Sequence, residues 1–411
     1  MNIQTEEFLR RHGLMPDLID PPREAEKVCS HMRSGIAGHV VDMPMIRTFL
    51  SADGAEPYNR NVIVIDAGGT NYRCGLASFS EAGCEVKDVR ISKMPGTDAS
   101  ATWEEFISFV ADSIEPFIAL ADSIGFCFSY SAEITPEKDG LVNDIDKEVI
   151  ITGCRGKLIA ASLNEELVSR GFAPKKIVIL NDTVAALFGG SAGLDKTAFS
   201  DLCGMICGTG FNLCLSHEGM IYNTEAGFYD SLPRGDIDRQ VDANSQQPGE
   251  KLAEKMISGA YIGLLCKAAI AEAAKEGLVS PASAEKVKNT EQFDGAVVSA
   301  LASGCDELGL FSTEAEKEFA RDLCLAVFGR SAMCVASVVI GVMLLNGSGK
   351  SAEKPACVCA EGSLIGKSEY FRHDLLAALD QYARQELGLH CEIRIGNGTT
   401  LPGSASAALL N

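Results

Sequence analysis

Basic residues are scarce in this chain: 36 Lys and Arg stand against 56 Asp and Glu, a formal net charge of −20. Such an excess of acid repels phosphate backbones and anionic lipid surfaces, so neither nucleic acid nor a membrane is an expected partner. An anionic small substrate stays compatible with it, because a few backbone N–H groups and one metal ion reverse the potential inside a cleft. The N-terminus, MNIQTEEFLRRHGLMPDLIDPPREAEK, lacks the basic start and apolar run of a secretory signal, and a cytoplasmic location is expected. No run reaches ~18 uninterrupted apolar residues; the nearest, Ser331 to Leu345, reads as a buried helix. The 15 cysteines include no C-x-x-C and lie beside Val, Leu, Ile and Gly. They read as reduced core thiols, not as a disulfide scaffold or a zinc site. Fixed-period repeats are absent, which sets aside solenoids and propellers. So are the Walker A pattern and the dinucleotide fingerprint G-x-G-x-x-G, which disfavours ordinary P-loop and Rossmann enzymes.

What is present is an ordered alternation of elements over 411 residues, a length that favours two domains. Residues 62–66 (VIVID), 73–79 and 84–91 read as strands of an antiparallel meander. A helix over 102–120, a strand over 124–130, a helix over 157–170, a strand over 177–181 and a helix over 182–192 follow. The pattern then restarts with strands at 203–207, 212–216 and 219–224. Helices dominate 250–345, before a strand at 356–360, a helix at 369–387, a strand at 391–395 and a short helix from about Ser404. This order predicts an α/β protein of two lobes with a helical insertion and a cleft between them, where ligands bind.

Three short segments carry chemistry. In Asp66-Ala67-Gly68-Gly69-Thr70-Asn71 an acid ends an apolar strand and a glycine turn follows. Glycine lets the backbone approach a phosphate, Thr70 offers a hydroxyl, and Asp66 suits Mg²⁺ held through water; an ordinary hairpin turn reads the same way. Gly208-Thr209-Gly210 repeats the pattern between the second pair of strands. Two such turns from two lobes would clamp one polyphosphate. Between them, Asp182 stands at a strand-to-helix junction. It reads either as the cap of the helix or as a base facing the crevice at the carboxyl end of a sheet.

The segments IDAGGTNYR, LNDTVAAL, GMICGTGFNLCL, YNTEAG and QQPGEKLAEKMISGAYIG occur in the order seen in hexokinases of the eukaryotic type. The chain resembles that family from about Glu24 to its end. The resemblance implies the two-lobed actin-like ATPase fold (ribonuclease H-like), with a small lobe of 61–181 plus 403–411 and a large lobe of 1–60 plus 182–402. It implies ATP and Mg²⁺ as cofactors, a hexose as substrate with glucose first, and a monomer or weak homodimer. Asp182 becomes the general base for the sugar 6-hydroxyl. Gly68, Gly69, Thr70, Asn71 and Arg73 become one phosphate turn, Gly208, Thr209 and Gly210 the other, and Asp66 the metal ligand through water. Asn181, Asp182, Asn212, Glu225 and Glu254 become sugar contacts, with Ser129 beside them. Lys147 becomes the lysine near the 6-hydroxyl, and Gly362 and Ser363 the adenine contacts. On the residues alone, Glu254 reads as an exposed helix acid, Lys147 as a surface lysine and Gly362 as a plain turn.

Departures from the family pattern fall on the sugar loop. Ser129-Tyr130-Ser131 stands for Ser-Phe-Pro, Ile145-Asp146-Lys147 for Trp-Thr-Lys, and Ala226 for a tryptophan. They leave room for a kinase acting on another sugar, such as an N-acetylhexosamine, or for a silent hexose sensor.

Overall fold

The computed structural model describes residues 1–145 and 149–411. Two sheets organise it, and each repeats one plan. In the first, Gly83–Lys93, Asn71–Ser80 and Asn61–Gly68 form an antiparallel meander, and Ser123–Phe128 and Lys176–Leu180 extend it in parallel. In the second, Met220–Asn223, Phe211–His217 and Asp201–Cys207 form the meander, and Ala356–Glu361 and Cys391–Ile395 the parallel extension. The short strand Ile46–Arg47 adds one further edge there. The two-lobed α/β expectation is thus met by a duplicated topology.

Period-2 alternation explains why the central strand Asn61–Gly68 is buried on both faces. Ile63, Ile65 and Ala67 enter a core with Trp103, Phe106, Ile124 and Leu163. Val62 and Val64 face the other way, into a layer shared with the second sheet. Asp66 has the same parity as Val62 and Val64, and so faces that shared layer.

Two helices fill the layer, Asp182–Ser191 and Thr400–Leu410. Leu187 and Phe188 from one, and Leu401, Ala405 and Ala408 from the other, pack with Val178 and Leu180 of the first sheet and Leu202, Cys214, Cys357 and Cys359 of the second. Burying Leu187 and Phe188 contributes about 1.5–3 kcal/mol each. The helices cross closely because Gly403 has no side chain: a methyl there would run into the Ala185 carbonyl. The last helix begins at Thr400, four residues before the expected start at Ser404, and lies between the sheets.

The remaining helices build the core of the second lobe around Glu314–Asn346. That helix is long and apolar enough to cross a membrane by length and composition, but 89% of its apolar window is buried inside the protein. The helices Ile3–Arg11 and Pro21–Ile36, which the hydrophobic pattern did not announce, place Phe8, Leu9, Val28 and Met32 in the same core. The expected helix at 369–387 runs as an α-helix only over Glu369–Ala378 and continues as a wider π-type coil over Leu379–Glu386.

Asp201, at the start of its strand, gives this lobe a pH dependence. Burial pushes its carboxyl up to about 6, against the opposing pull of the Asn346 amide, the Leu202 N–H and His217. A carboxyl raised in the folded state is neutral at low pH in both states, and its stabilising contribution is lost as pH rises through the folded value. Wild-type stability therefore carries a term that falls between about pH 4 and about pH 6. In thermal unfolding, the Asp201→Asn variant should gain on the wild type across that window and hold a constant difference above it.

Candidate functional site

Register across the first sheet brings its motifs to one edge. Asp66, Cys127 and Leu180 lie in one row over three strands, so the first turn and the Asn181-Asp182 junction leave the same carboxyl end with the strand Ser123–Phe128 between them. The helix cap is Asn181, not Asp182 as expected: Asn181 Oδ1 accepts from the Thr183 and Val184 N–H groups at 2.9 and 3.2 Å. The strand ends at Leu180, and the first residue beyond it takes the cap. Asp182 is the first helical residue, where the macrodipole favours an anion. Its Oδ1 accepts from Asn181 Nδ2 at 3.0 Å and from Thr183 N at 2.8 Å, which orients the carboxylate.

Asp66 is buried, 8% exposed, and stands opposite Arg73 in the hairpin. Arg73 Nε donates to Asp66 Oδ2 at 2.8 Å, and Nη2 bonds the same oxygen. Asp66 Oδ1 faces Gly68. Burial raises the Asp66 carboxyl; Arg73 opposes that, and the charges of Asp182 and Glu361 add to it. The aspartate of the crevice is therefore not alone: three carboxylates share one field. Glu361 was not expected here. It ends the strand Ala356–Glu361, opposite Ile206, and accepts from the Gly398 and Thr399 N–H groups at 2.9 and 3.0 Å. It thereby ties the second sheet to the start of the interlobe helix.

Around the first turn, Ser129 N donates to the Ala67 carbonyl at 3.1 Å and its hydroxyl lies against Gly68. Tyr130, one of the departures, donates its hydroxyl to the Gly69 carbonyl. Ala226, another, is fully buried, and its N–H donates to Asn212 Oδ1 at 3.2 Å.

The second turn rests on the helix Gly259–Lys275, whose first N–H groups, Gly259 and Ala260, donate to the Gly208 and Thr209 carbonyls at 2.7 and 3.3 Å. Gly362 and Ser363 lie against Gly208, so the expected adenine and phosphate contacts adjoin. Glu254 is half-buried, not exposed: its Oε2 accepts from Phe211 N at 3.0 Å, beneath Gly210. Asn212, Asn223 and Glu225 form a hydrogen-bonded series. Asn71 and Thr209 are exposed, Thr70 is half-buried, and among the described residues no hydrogen bond joins the two turns. Lys147 and Asp146 lie outside the described residues. A groove of about 800 Å³, lined by Val241, Tyr261, Leu264 and Ala268 among others, contains none of the expected site residues.

Two like sheets, each with a glycine turn at its carboxyl edge and with an aspartate at the helix between them, make the mixed two-sheet fold of hexokinases and actin-like ATPases. Models of the hexokinase family match residues 22–192 and 202–410. Hexokinase-2, chloroplastic, of Nicotiana tabacum is 25% identical over 94% of this chain and 86% of its own length. Hexokinase-1 of Schizosaccharomyces pombe is 26% identical over 89% of this chain and 82% of its own. The hexokinase of Schistosoma mansoni, solved in complex with glucose, superposes with a TM-score of 0.78 at 18% identity, covering 98% of both chains. The chain belongs to the hexokinase family, the ATP:hexose phosphotransferases.

Proposed function

We propose that the protein transfers the γ-phosphate of ATP to the 6-hydroxyl of a hexose, with glucose the first acceptor and Asp182 the general base. The observation that carries this reading is the placement of Asp182: an oriented carboxylate at a helix N-terminus, at the same sheet edge as the first glycine turn and close enough for its charge to act on Asp66. A carboxylate so placed accepts the hydroxyl proton as the sugar oxygen attacks phosphorus. Acids and amides at Asn181, Asn212, Glu225 and Glu254 complement hydroxyls that each donate and accept. The exposed edges of both turns offer backbone N–H groups and the Thr70 and Thr209 hydroxyls to the polyphosphate. Closing the lobes over the interlobe helices would exclude water, which otherwise competes with the sugar for ATP.

The donor set also fits Mg²⁺ arriving with the nucleotide. Among the described residues no three ligating side chains converge, and Arg73 occupies only Oδ2 of Asp66, which leaves Oδ1 to accept from a metal-bound water. Asp66 would hold the ion through that water, and the ion would supply positive charge to offset the carboxylates and the phosphate.

A coupled assay for ADP with glucose, fructose, mannose and N-acetylglucosamine tests the reading. The expected result is hexose-dependent ADP release, fastest with glucose. Hexose binding without ADP from any of the four would make the protein a silent sensor. The nucleotide side has its own test. Gly362 sits at φ +131°, and a methyl there would strike Cys207 and Gly208 of the second turn. Displacing a phosphate turn by about 1 Å costs on the order of 10²-fold. Gly362→Ala should therefore lower kcat/KM for ATP by about that much while the hexose Kd holds.

A further inference from the structure

The Asn212, Asn223 and Glu225 series has a direction. Asn212 Oδ1 accepts from the Leu213 and Ala226 N–H groups at 2.7 and 3.2 Å, which turns its nitrogen toward Asn223. Asn212 Nδ2 donates to Asn223 Oδ1 at 2.9 Å, and Asn223 Nδ2 donates to Glu225 Oε1 at 2.8 Å. Asn223 is 5% exposed at the end of the strand Met220–Asn223, paired with Cys214 on one side and Ile46 on the other. Its amide cannot flip, because the flip would set nitrogen against the Asn212 nitrogen and oxygen against the Glu225 carboxylate. Glu225 follows in a left-handed backbone turn, φ +53°, and its Oε1 accepts from the Asn223 amide.

We infer that Asn223 is a positioning residue that sets sugar selectivity, holding Asn212 as a hydrogen-bond donor and Glu225 as an acceptor through its own buried amide. The inference rests on the hexose-kinase reading and deepens it. A donor and an acceptor held at fixed spacing match two neighbouring hydroxyls of a sugar ring, one giving and one receiving a hydrogen bond. A sugar whose ring hydroxyl at that place is missing or capped loses one of these two hydrogen bonds, and the site discriminates against it. Along the side chains the donors run from Asn212 to the Glu225 carboxylate, and the Glu225 N–H adds a second donor to Asn223 Oδ1 at 3.4 Å.

Asn223→Asp tests this with no change of shape. The new carboxylate still accepts from Asn212, but an oxygen now faces Glu225 with no proton between them. The KM for glucose should rise about tenfold or more, as expected for losing a charge-assisted hydrogen bond, while the KM for ATP stays within about twofold. Lowering the pH from about 8 to about 6 should recover part of that loss, because a proton shared by the two carboxyls restores the missing donor. In a Glu225→Gln background the glutamine amide supplies the donor, so adding Asn223→Asp there should cost about threefold or less. A glucose KM within twofold of the wild type at every pH, or an equal cost of Asn223→Asp in both backgrounds, would overturn the inference. Should the variant prove too unstable to assay, its unfolding temperature relative to the wild type must fall as the pH rises from about 4.5 to about 7, as the pair ionises; a flat difference overturns the inference equally. Wild-type protein that releases no ADP with any hexose would instead sink the kinase reading, and the sugar role with it.

Discussion

The Asp182→Asn protein is expected to turn hexose over on the order of 10²- to 10⁴-fold more slowly than the wild type, the range for losing general-base help, with its hexose Kd within a few-fold. The separation follows from local geometry. An asparagine at this position keeps an Oδ1 that accepts from Asn181 Nδ2 and Thr183 N, so the helix start and the Asn181 amide that caps it stay in place. What it loses is the capacity to take a proton from the attacking hydroxyl. Because Asp66 and Glu361 remain, the nucleotide side of the crevice keeps its charge, and the ATP KM should change little. Titration calorimetry with glucose and a coupled ADP assay on one preparation check both halves. Turnover within tenfold of the wild type would remove Asp182 from the chemistry.

The largest expected effect on stability lies far from the crevice. Arg330 is fully buried in the middle of the helix Glu314–Asn346 and makes a two-pronged pair with Asp238, both bonds 2.7 Å, plus a third bond of 2.8 Å to the Gly13 carbonyl. It joins the N-terminal segment, the helix Asp236–Ala243 and the long central helix. Arg330→Met removes the cation and strands Asp238, itself 4% exposed, without its charge partner. The cost of breaking such a buried pair is about 3–5 kcal/mol. Adding Asp238→Leu should return much of it, since two apolar side chains replace a pair whose desolvation cost is high. The single tryptophan, Trp103, packs in the other lobe against Phe106. Urea unfolding of Arg330→Met followed by far-ultraviolet circular dichroism should therefore begin well before the Trp103 fluorescence changes. Coincident, unshifted transitions would show that the pair contributes little.

Much of this arrangement is legible in the residues. The meanders show because apolar residues alternate and glycine turns interrupt them, and the Asp182 junction shows because a short apolar strand runs into a cap-forming pair. The assignment of the cap to Asp182 failed for a narrow reason: Asn and Asp are equally good caps, and only the observed end of the strand at Leu180 decides between them. Glu361 and Asn223 were missed because each depends on a partner more than ten residues away, Thr399 for one and Asn212 for the other, which spacing along the chain does not encode. The helix Pro21–Ile36 did carry a signal, Asp20 as cap followed by Pro21 at the first helical position. Its apolar residues are diluted by charge, so periodicity alone passed over it. Glu254 looked like a solvated helix acid because its neighbours Lys251, Lys255 and Glu250 are polar; the Phe211 N–H that holds it belongs to a distant strand.

The central claim is that this crevice joins the terminal phosphate of ATP to a hexose 6-oxygen. Phosphorus–proton correlation NMR of a reaction containing the wild-type protein, ATP, Mg²⁺ and glucose reads that bond itself. A phosphomonoester signal coupled to the C6 methylene protons is expected, growing in step with ADP and absent with Asp182→Asn on the same time scale. Inorganic phosphate as the only new phosphorus signal, or an ester on another carbon, would contradict it.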